Sequence, residues 1–352
     1  MDIQEAIKTI MTGQDLSRED ASSVMKQILT GSTSEAQIKA FLVALSTKGE
    51  SVNEVIGSAE VMRTLSTKVS VNTKHLVDTC GTGGVASGIF NVSTTAAFVA
   101  SSCGAKVAKH GNRSATRKSG SADLLEAAGV VLDLKPDQVK ECIENIGLGF
   151  MFAPAHHSAM KYAVGPRKEL GIKTIFNLLG PLTNPAGALN QVLGVFDVKW
   201  VRPIAEVLKG LGSKNVLVLH SEDGLDEIST ASPTNVAELR DGKIEEYSIS
   251  PSDFGFKSLS IEGLQVDSPE ASLELAKQAL RGENVAASQM VAMTSGAALY
   301  VADLTRTLKE GVDEIKKPYE GMRSILVKDK SLIFNTDLME TLEFDNLIRQ
   351  AI

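Results

Sequence analysis

An excess of positive charge is missing from this chain. Its 36 Lys and Arg residues face 43 Asp and Glu, a formal net charge of −7 at pH 7. That balance excludes the broad basic field of a duplex nucleic-acid binder, so no nucleic-acid partner is expected. It does not exclude a small anion held by a local cluster of cations. Cysteine is scarce too. Cys80, Cys103 and Cys142 form an odd set with no CxxC pair, which excludes a disulfide framework and fits a reducing compartment. No apolar run approaches the roughly 20 residues of a membrane span. The N-terminal MDIQEAIKTI is acidic and amphipathic, unlike a signal peptide. A cytoplasmic protein without membrane contact is expected.

Several chemical signatures are also absent. No G-K-S/T follows the glycine cluster Gly81-Thr82-Gly83-Gly84, so it is not a Walker A loop. The dinucleotide fingerprint lacks its acidic residue about twenty positions on, where Gly104-Ala105-Lys106 stands instead. His156-His157 has no partner at zinc spacing, and no nucleophile elbow occurs.

The 352 residues suffice for two domains. The first seventy read as helices only. Ile3, Ile7, Ile10 and Met11 share one helical face, and Val24, Met25, Ile28 and Leu29 another. Ser17 with Asp20, Ser34 with Gln37 and Ser51 with Glu54 look like capping boxes or close variants. After Lys74, strand-like runs (76–80, 106–108, 130–134, 191–196, 215–220) alternate with helical segments (94–103, 121–128, 136–145, 203–211). That alternation predicts an α/β fold with a mainly parallel sheet covered on both faces. The run 236–244 reads as a hairpin around Asp241-Gly242, and 271–280 and 285–308 as helices. A Pro- and Gly-punctuated stretch, 154–185, interrupts the rhythm and reads as a return visit to the helical domain. The predicted division is a small all-helical domain, 1–72 with a return segment at about 155–188, and a larger α/β domain, 73–154 and 189–352.

Ligands of parallel sheets sit beyond the carboxyl ends of the strands, and the chemically rich turns follow those ends. Glycines in Gly81-Thr82-Gly83-Gly84 let backbone N–H groups converge on an oxyanion, although an isolated turn of this kind also serves as a plain strand-to-helix connection. Ser93 and Thr94 open the next helix, where hydroxyls and the positive helix end suit phosphate or simple capping. Lys109, Arg113, Arg117 and Lys118 put four cations within ten residues. Several carboxylates, Glu222, Asp223, Asp226 and Glu227, crowd the end of another strand and call for a cation. Mg²⁺ fits, since it takes one or two carboxylates, waters and substrate phosphates. The composite is a Mg²⁺ site for a diphosphate-bearing ligand, with a second pocket near Arg167.

Taken together, GTGG, FNVST, KHGNRS, SGSADLLE, GFMFAPAHHSAMKY, PRKELGIKTIFNLLGPLTNPAG and VLHSEDGLDEIS resemble the anthranilate phosphoribosyltransferase family, from about residue 5 to residue 305. The resemblance implies a helical domain, an α/β domain of the nucleoside phosphorylase and phosphoribosyltransferase type, a cleft between them, and a homodimer through the helical domain. It implies transfer of phosphoribosyl from phosphoribosyl pyrophosphate to anthranilate, in tryptophan biosynthesis, with two Mg²⁺ ions per subunit. By the same resemblance Gly81, Gly83, Gly84, Asn91, Ser93, Thr94, Lys109 and Ser121 would hold the donor. Gly81, His110, Asn112, Pro154 and Arg167 would line the acceptor site, with Arg167 on the carboxylate. Ser93, Asp226 and Glu227 would bind metal, while Lys109, His110 and Arg167 support the transition state. Val85 departs from the family's usual acidic residue after the glycines, Thr294-Ser295 replaces a more usual Asn-Ala, and the last forty residues match poorly. The alternatives are a pyrimidine nucleoside phosphorylase-like enzyme and a non-enzymatic nucleic-acid-binding paralogue.

Overall fold

The structure is a computed structural model and describes residues 1–83, 88–114 and 118–316. Four capped helices open the chain: α1 (Ile3–Met11), α2 (Arg18–Leu29), α3 (Glu35–Lys48) and α4 (Val52–Leu65). Ser34 and Ser51 complete capping boxes with Gln37 and Glu54, while Ser17 accepts the Asp20 N–H at 3.1 Å. Such caps satisfy first-turn N–H groups and contribute about 1 kcal/mol each. The helices pack closely, since a Cβ on Gly57 of α4 would overlap the Arg18 carbonyl oxygen of α2. Their apolar faces, including Ile10, Met25, Ile28, Phe41 and Leu45, share one core with Ala163, Ile175, Leu178 and Leu182 of the later return segment.

Among the described residues the sheet has seven strands in the order β3-β2-β1-β4-β5-β6-β7. The five parallel ones are β1 (Leu76–Gly81), β2 (Lys106–Gly111), β3 (Leu148–Phe152), β4 (Asn190–Gly194) and β5 (Asn215–Ser221). An antiparallel hairpin, β6 (Thr234–Arg240) and β7 (Lys243–Ile249), extends one edge. Its turn puts Asp241 at φ 51° and Gly242 at φ 72°, the two left-handed residues that a tight hairpin turn requires. Val77, Val107, Val192 and Leu217 face one core with α5 (Val92–Ser102) and α13 (Val285–Val301). Leu193, Val216 and Val218 face the core shared with the N-terminal helices and α11 (Val201–Gly210). Burial on both faces is why these strands read as continuous apolar runs. The remaining helices are α6 (Ser121–Ala127), α7 (Pro136–Glu141), α8 (Ala153–His156), α9 (Lys161–Leu170), α10 (Ile175–Leu179), α12 (Pro269–Arg281) and α14 (Leu308–Ile315).

The α/β class is therefore as expected, with two local corrections. Residues 131–134 form no strand. Val130 and Leu132 are apolar because they pack against Phe150, and the edge strand is Leu148–Phe152, reached through α7 and a π-turn at Cys142–Ile146. The expected helix 285–308 ends at Val301, and α14 starts separately after its own N-cap, Thr307.

Candidate active site

The parallel strands release their chain at one edge, and there the structure opens a cleft of about 560 Å³, within the usual size of a small-molecule site. Strand β1 runs alongside β4 in register to Gly81↔Gly194. The pairing continues into the turn, where Thr82 N–H donates to the Gly194 carbonyl at 2.9 Å. On its other side β1 meets β2 only at Leu76↔Lys106 and Val77↔Val107. Beyond that the two strands part, and polar side chains occupy the split. Asp78 accepts the His110 N–H at 3.3 Å and the Asn184 side-chain amide at 2.8 Å. Asn184 also donates to the Ala108 carbonyl at 2.8 Å, and the Lys109 ammonium donates to the Thr79 carbonyl.

This split sets the electrostatics of the cleft floor. Burial pushes the Asp78 carboxyl up to about 6, opposed by Lys109, Asn184 and the His110 N–H. Burial also lowers the Lys109 ammonium, which the Asp78 carboxylate counteracts. His110 and His157 have ring centroids 5.1 Å apart. Burial, reinforced by neighbouring histidines, depresses His110 to about 3 and His157 to about 4. Both rings are neutral at pH 7, and each has a buried Nε2 without a hydrogen-bond partner among the described residues.

Opposite the floor, the acidic turn after β5 divides its carboxylates. Asp223 accepts the Ser229 hydroxyl at 2.5 Å and is not part of the cleft lining, whereas Asp226 and Glu227 are. Glu227 accepts the Ser93 N–H at 3.4 Å, which joins the acidic turn to the start of α5. A Cβ at Gly81 would lie 3.0 Å from an Asp226 carboxylate oxygen, so the glycine turn and the acidic turn are in contact. Among the described residues no three His, Cys, Asp or Glu side chains cluster as a metal cage. A hydroxyl and two carboxylates are instead an incomplete all-oxygen set. That suits Mg²⁺, which keeps waters and takes substrate phosphate oxygens.

Every described residue expected at the site lines this cleft: Gly81 and Gly83 after β1, Asn91, Ser93 and Thr94 at α5, Lys109, His110 and Asn112 at β2, Ser121 at α6, Pro154 in α8, Arg167 in α9, and Asp226 with Glu227. Gly84, like Val85, lies outside the described residues. Burial lowers the Arg167 guanidinium, which stacks 5.2 Å above the Phe176 ring and has no acidic partner among the described residues. The cationic run supplies less than its composition promised. Arg113 is tied to Glu126 at 2.5 and 2.9 Å and to Asp123 at 3.3 Å. Lys118 is exposed and outside the lining, and Arg117 lies outside the described residues. Of the described members, Lys109 is the buried cation. Sequence reading also passed over His157, dismissed there as a metal ligand, and over Asp78 and Asn184. Both look like ordinary turn or strand residues until the split places them together.

Comparison with known proteins bears on the family and the fold. Residues 4–66 match the family model described as glycosyl transferase family, helical bundle domain, and residues 73–320 its a/b domain. Residues 291–352 also match a model described as fumarate reductase flavoprotein C-term, which overlaps the end of the a/b match. Anthranilate phosphoribosyltransferase of Ectopseudomonas mendocina is 57% identical over 334 residues, covering 94% of this chain and 95% of that protein. The enzyme of the same name from Marinomonas is 58% identical over 315 residues, covering 89% and 91%. Among solved structures, anthranilate phosphoribosyltransferase from Thermus thermophilus superposes with TM-score 0.84 at 40% identity, covering 98% of each chain. The Saccharomyces cerevisiae enzyme in complex with PRPP and Mg superposes with TM-score 0.80 at 25% identity, covering 92% and 94%. These relatives do not support the phosphorylase-like or nucleic-acid-binding alternatives. With its helical bundle, its parallel sheet and this degree of identity, the chain belongs to the anthranilate phosphoribosyltransferase family.

Proposed function

We propose that the chain carries out the reaction of its family, the Mg²⁺-dependent transfer of 5-phosphoribosyl from phosphoribosyl pyrophosphate to the amine of anthranilate, with release of pyrophosphate. The observation that carries this reading is the convergence of a glycine turn, a helix start, a buried lysine and two carboxylates on one cleft that also contains an arginine with no acidic partner among the described residues. Gly81, Gly83 and Gly84 would cradle the pyrophosphate, with Asn91, Ser93, Thr94, Lys109 and Ser121 completing the donor site. Ser93, Asp226 and Glu227 would hold two Mg²⁺ ions, whose charge neutralises the departing pyrophosphate when they are bound. Arg167 would pair with the anthranilate carboxylate, while Asn112, His110 and Pro154 line the acceptor's path.

The aryl amine is already nucleophilic, so the hard event is cleavage of the C1–O bond through an oxocarbenium-like state. Lys109, aimed from the cleft floor, stabilises negative charge on the leaving group. Apposition of the two halves of the cleft aligns the amine with C1 and excludes water. Neutral His110 and His157 place no positive charge beside the amine. We assign 1–72 and about 155–188 to a helical domain, and 73–154 with 189–352 to the α/β domain, of which the part beyond 316 lies outside the described residues. A homodimer through the helical domain belongs to the same reading, supported by exposed Met11 and Val43. So does a cytoplasmic location: among the described residues no helix is long and apolar enough to cross a membrane. The test is a fluorescence assay of anthranilate consumption. Turnover should require both phosphoribosyl pyrophosphate and Mg²⁺ and should fall at least a hundredfold in an Asp226→Ala/Glu227→Ala variant. Unchanged turnover in that variant rules out the metal role.

A further inference from the structure

Asn91 stands at the N-cap of α5, yet its side chain makes no capping bond. The carboxamide turns away from the helix. Its oxygen accepts the Ser119 hydroxyl at 2.7 Å and the Ser272 hydroxyl at 2.8 Å, and its NH₂ donates to the Ser119 carbonyl at 3.3 Å. Ser272 also accepts the backbone N–H of Asn91 at 3.1 Å. One hydroxyl therefore holds Asn91 by both backbone and side chain. Ser272 is fully buried, lies in the first turns of α12, and is not part of the cleft lining.

Ser272 is the last link in a longer strap. Leu264 accepts the Phe90 N–H at 3.0 Å, and Val266 donates to the Gly88 carbonyl at 3.0 Å. Ile89 and Gln265 form an antiparallel bridge between these two bonds. Leu264, Leu275 and Ala276 bury Ile89 and Phe90 in a common core. Residues 264–272 thus grip 88–91 where the chain returns from the glycine turn, some 180 residues away in sequence. A serine N-cap at Ser268, which accepts the Ala271 N–H at 3.1 Å, fixes the start of α12 and so the position of Ser272.

We infer that Ser272 is a positioning residue for donor binding: through Asn91 it sets where the start of α5, with Ser93 and Thr94, meets the phosphoribosyl donor. The inference rests on the proposed function. Without the hydroxyl, the Asn91 side chain keeps only its Ser119 contacts, and its part-buried N–H loses its acceptor. The arginine side of the cleft is untouched, so the effect falls on the donor alone.

The test measures kcat and both KM values, with melting temperatures, for wild type, Ser272→Ala, Ser272→Thr and Ser288→Ala. Ser288 is a control: its hydroxyl donates to the Ala279 carbonyl at 2.7 Å, ties α13 to α12, and does not line the cleft. In Ser272→Ala the KM for phosphoribosyl pyrophosphate should rise about tenfold. The KM for anthranilate and kcat should stay within about twofold of wild type. Ser272→Thr should restore the donor KM, and Ser288→Ala should lower the melting temperature without moving it. A wild type without turnover would overturn the functional reading itself. An active wild type whose donor KM is the same in Ser272→Ala overturns this inference alone, as does a rise in both KM values that Ser288→Ala reproduces.

Discussion

Gly194 offers the sharpest test of how the sheet places the carboxylates. It ends β4, beside Gly81, and a Cβ built on it would lie 2.6 Å from the Asp226 carbonyl carbon and 3.1 Å from the Asp226 Cβ, closer still to the carbonyl oxygen. Carbon atoms in contact sit at about 3.5–4.0 Å, so Gly194→Ala must displace the Asp226-Glu227 turn by roughly 1 Å. Overpacking of this kind costs about 1–3 kcal/mol of stability. Because β4 is anchored on both sides, the turn is the part that moves. A misplacement of about 1 Å at a reacting constellation costs on the order of a hundredfold in rate. Gly194→Ala should therefore fold, melt several degrees lower, lose about a hundredfold in kcat/KM, and need more Mg²⁺ for half-maximal rate. Mg²⁺ titrations of initial rate on folded protein read this directly. Equal kcat/KM and equal Mg²⁺ dependence in the two proteins would show that the acidic turn does not depend on this contact, and would refute the reasoning.

Other predictions concern the two ends of the cleft. Arg167→Ala should raise the KM for anthranilate by at least tenfold, leave the donor KM unchanged and cost little stability, because among the described residues no acidic partner is orphaned; steady-state kinetics with each substrate varied separately decides it. Neutral His157, depressed to about 4 by burial, gives the fold stability that is complete above pH 6.5 and is lost as pH falls toward 4. That loss is on the order of 3 kcal/mol. In His157→Phe, urea melts should show a shallower fall between pH 6.5 and 4. Asp78 acts with the opposite sign. Raised to about 6, it lowers stability as pH rises from about 4 to 6, and the same melts on Asp78→Asn should lack that component.

The parts that were legible in the sequence share a physical reason. Runs such as Val216–Leu219 are buried on both faces, so their apolar character survives in one dimension. The site motifs follow strand ends, which is where a parallel sheet presents its ligands. The parts that were not legible depend on contacts between distant residues. Val130–Leu134 has the composition of a strand but packs as a connection against Phe150. Arg113 counts as a cation until Glu126 and Asp123 are seen to hold it. Ser272, Asn184 and Gly194 are unremarkable in sequence, because what each does is set by a residue between about 30 and 180 positions away.

The split between β1 and β2 has a mechanical meaning. Asn184 lies two residues after Leu182, which is buried in the core shared with the N-terminal helices. Its amide is bonded at once to Asp78 of β1 and to the carbonyl of Ala108, the residue before Lys109 on β2. One side chain thus ties this segment to both strands of the split across which the buried ammonium reaches the Thr79 carbonyl. Any displacement of Asn184 therefore reaches Asp78 and the residue before Lys109 directly, which couples the position of this segment to that of the buried ammonium.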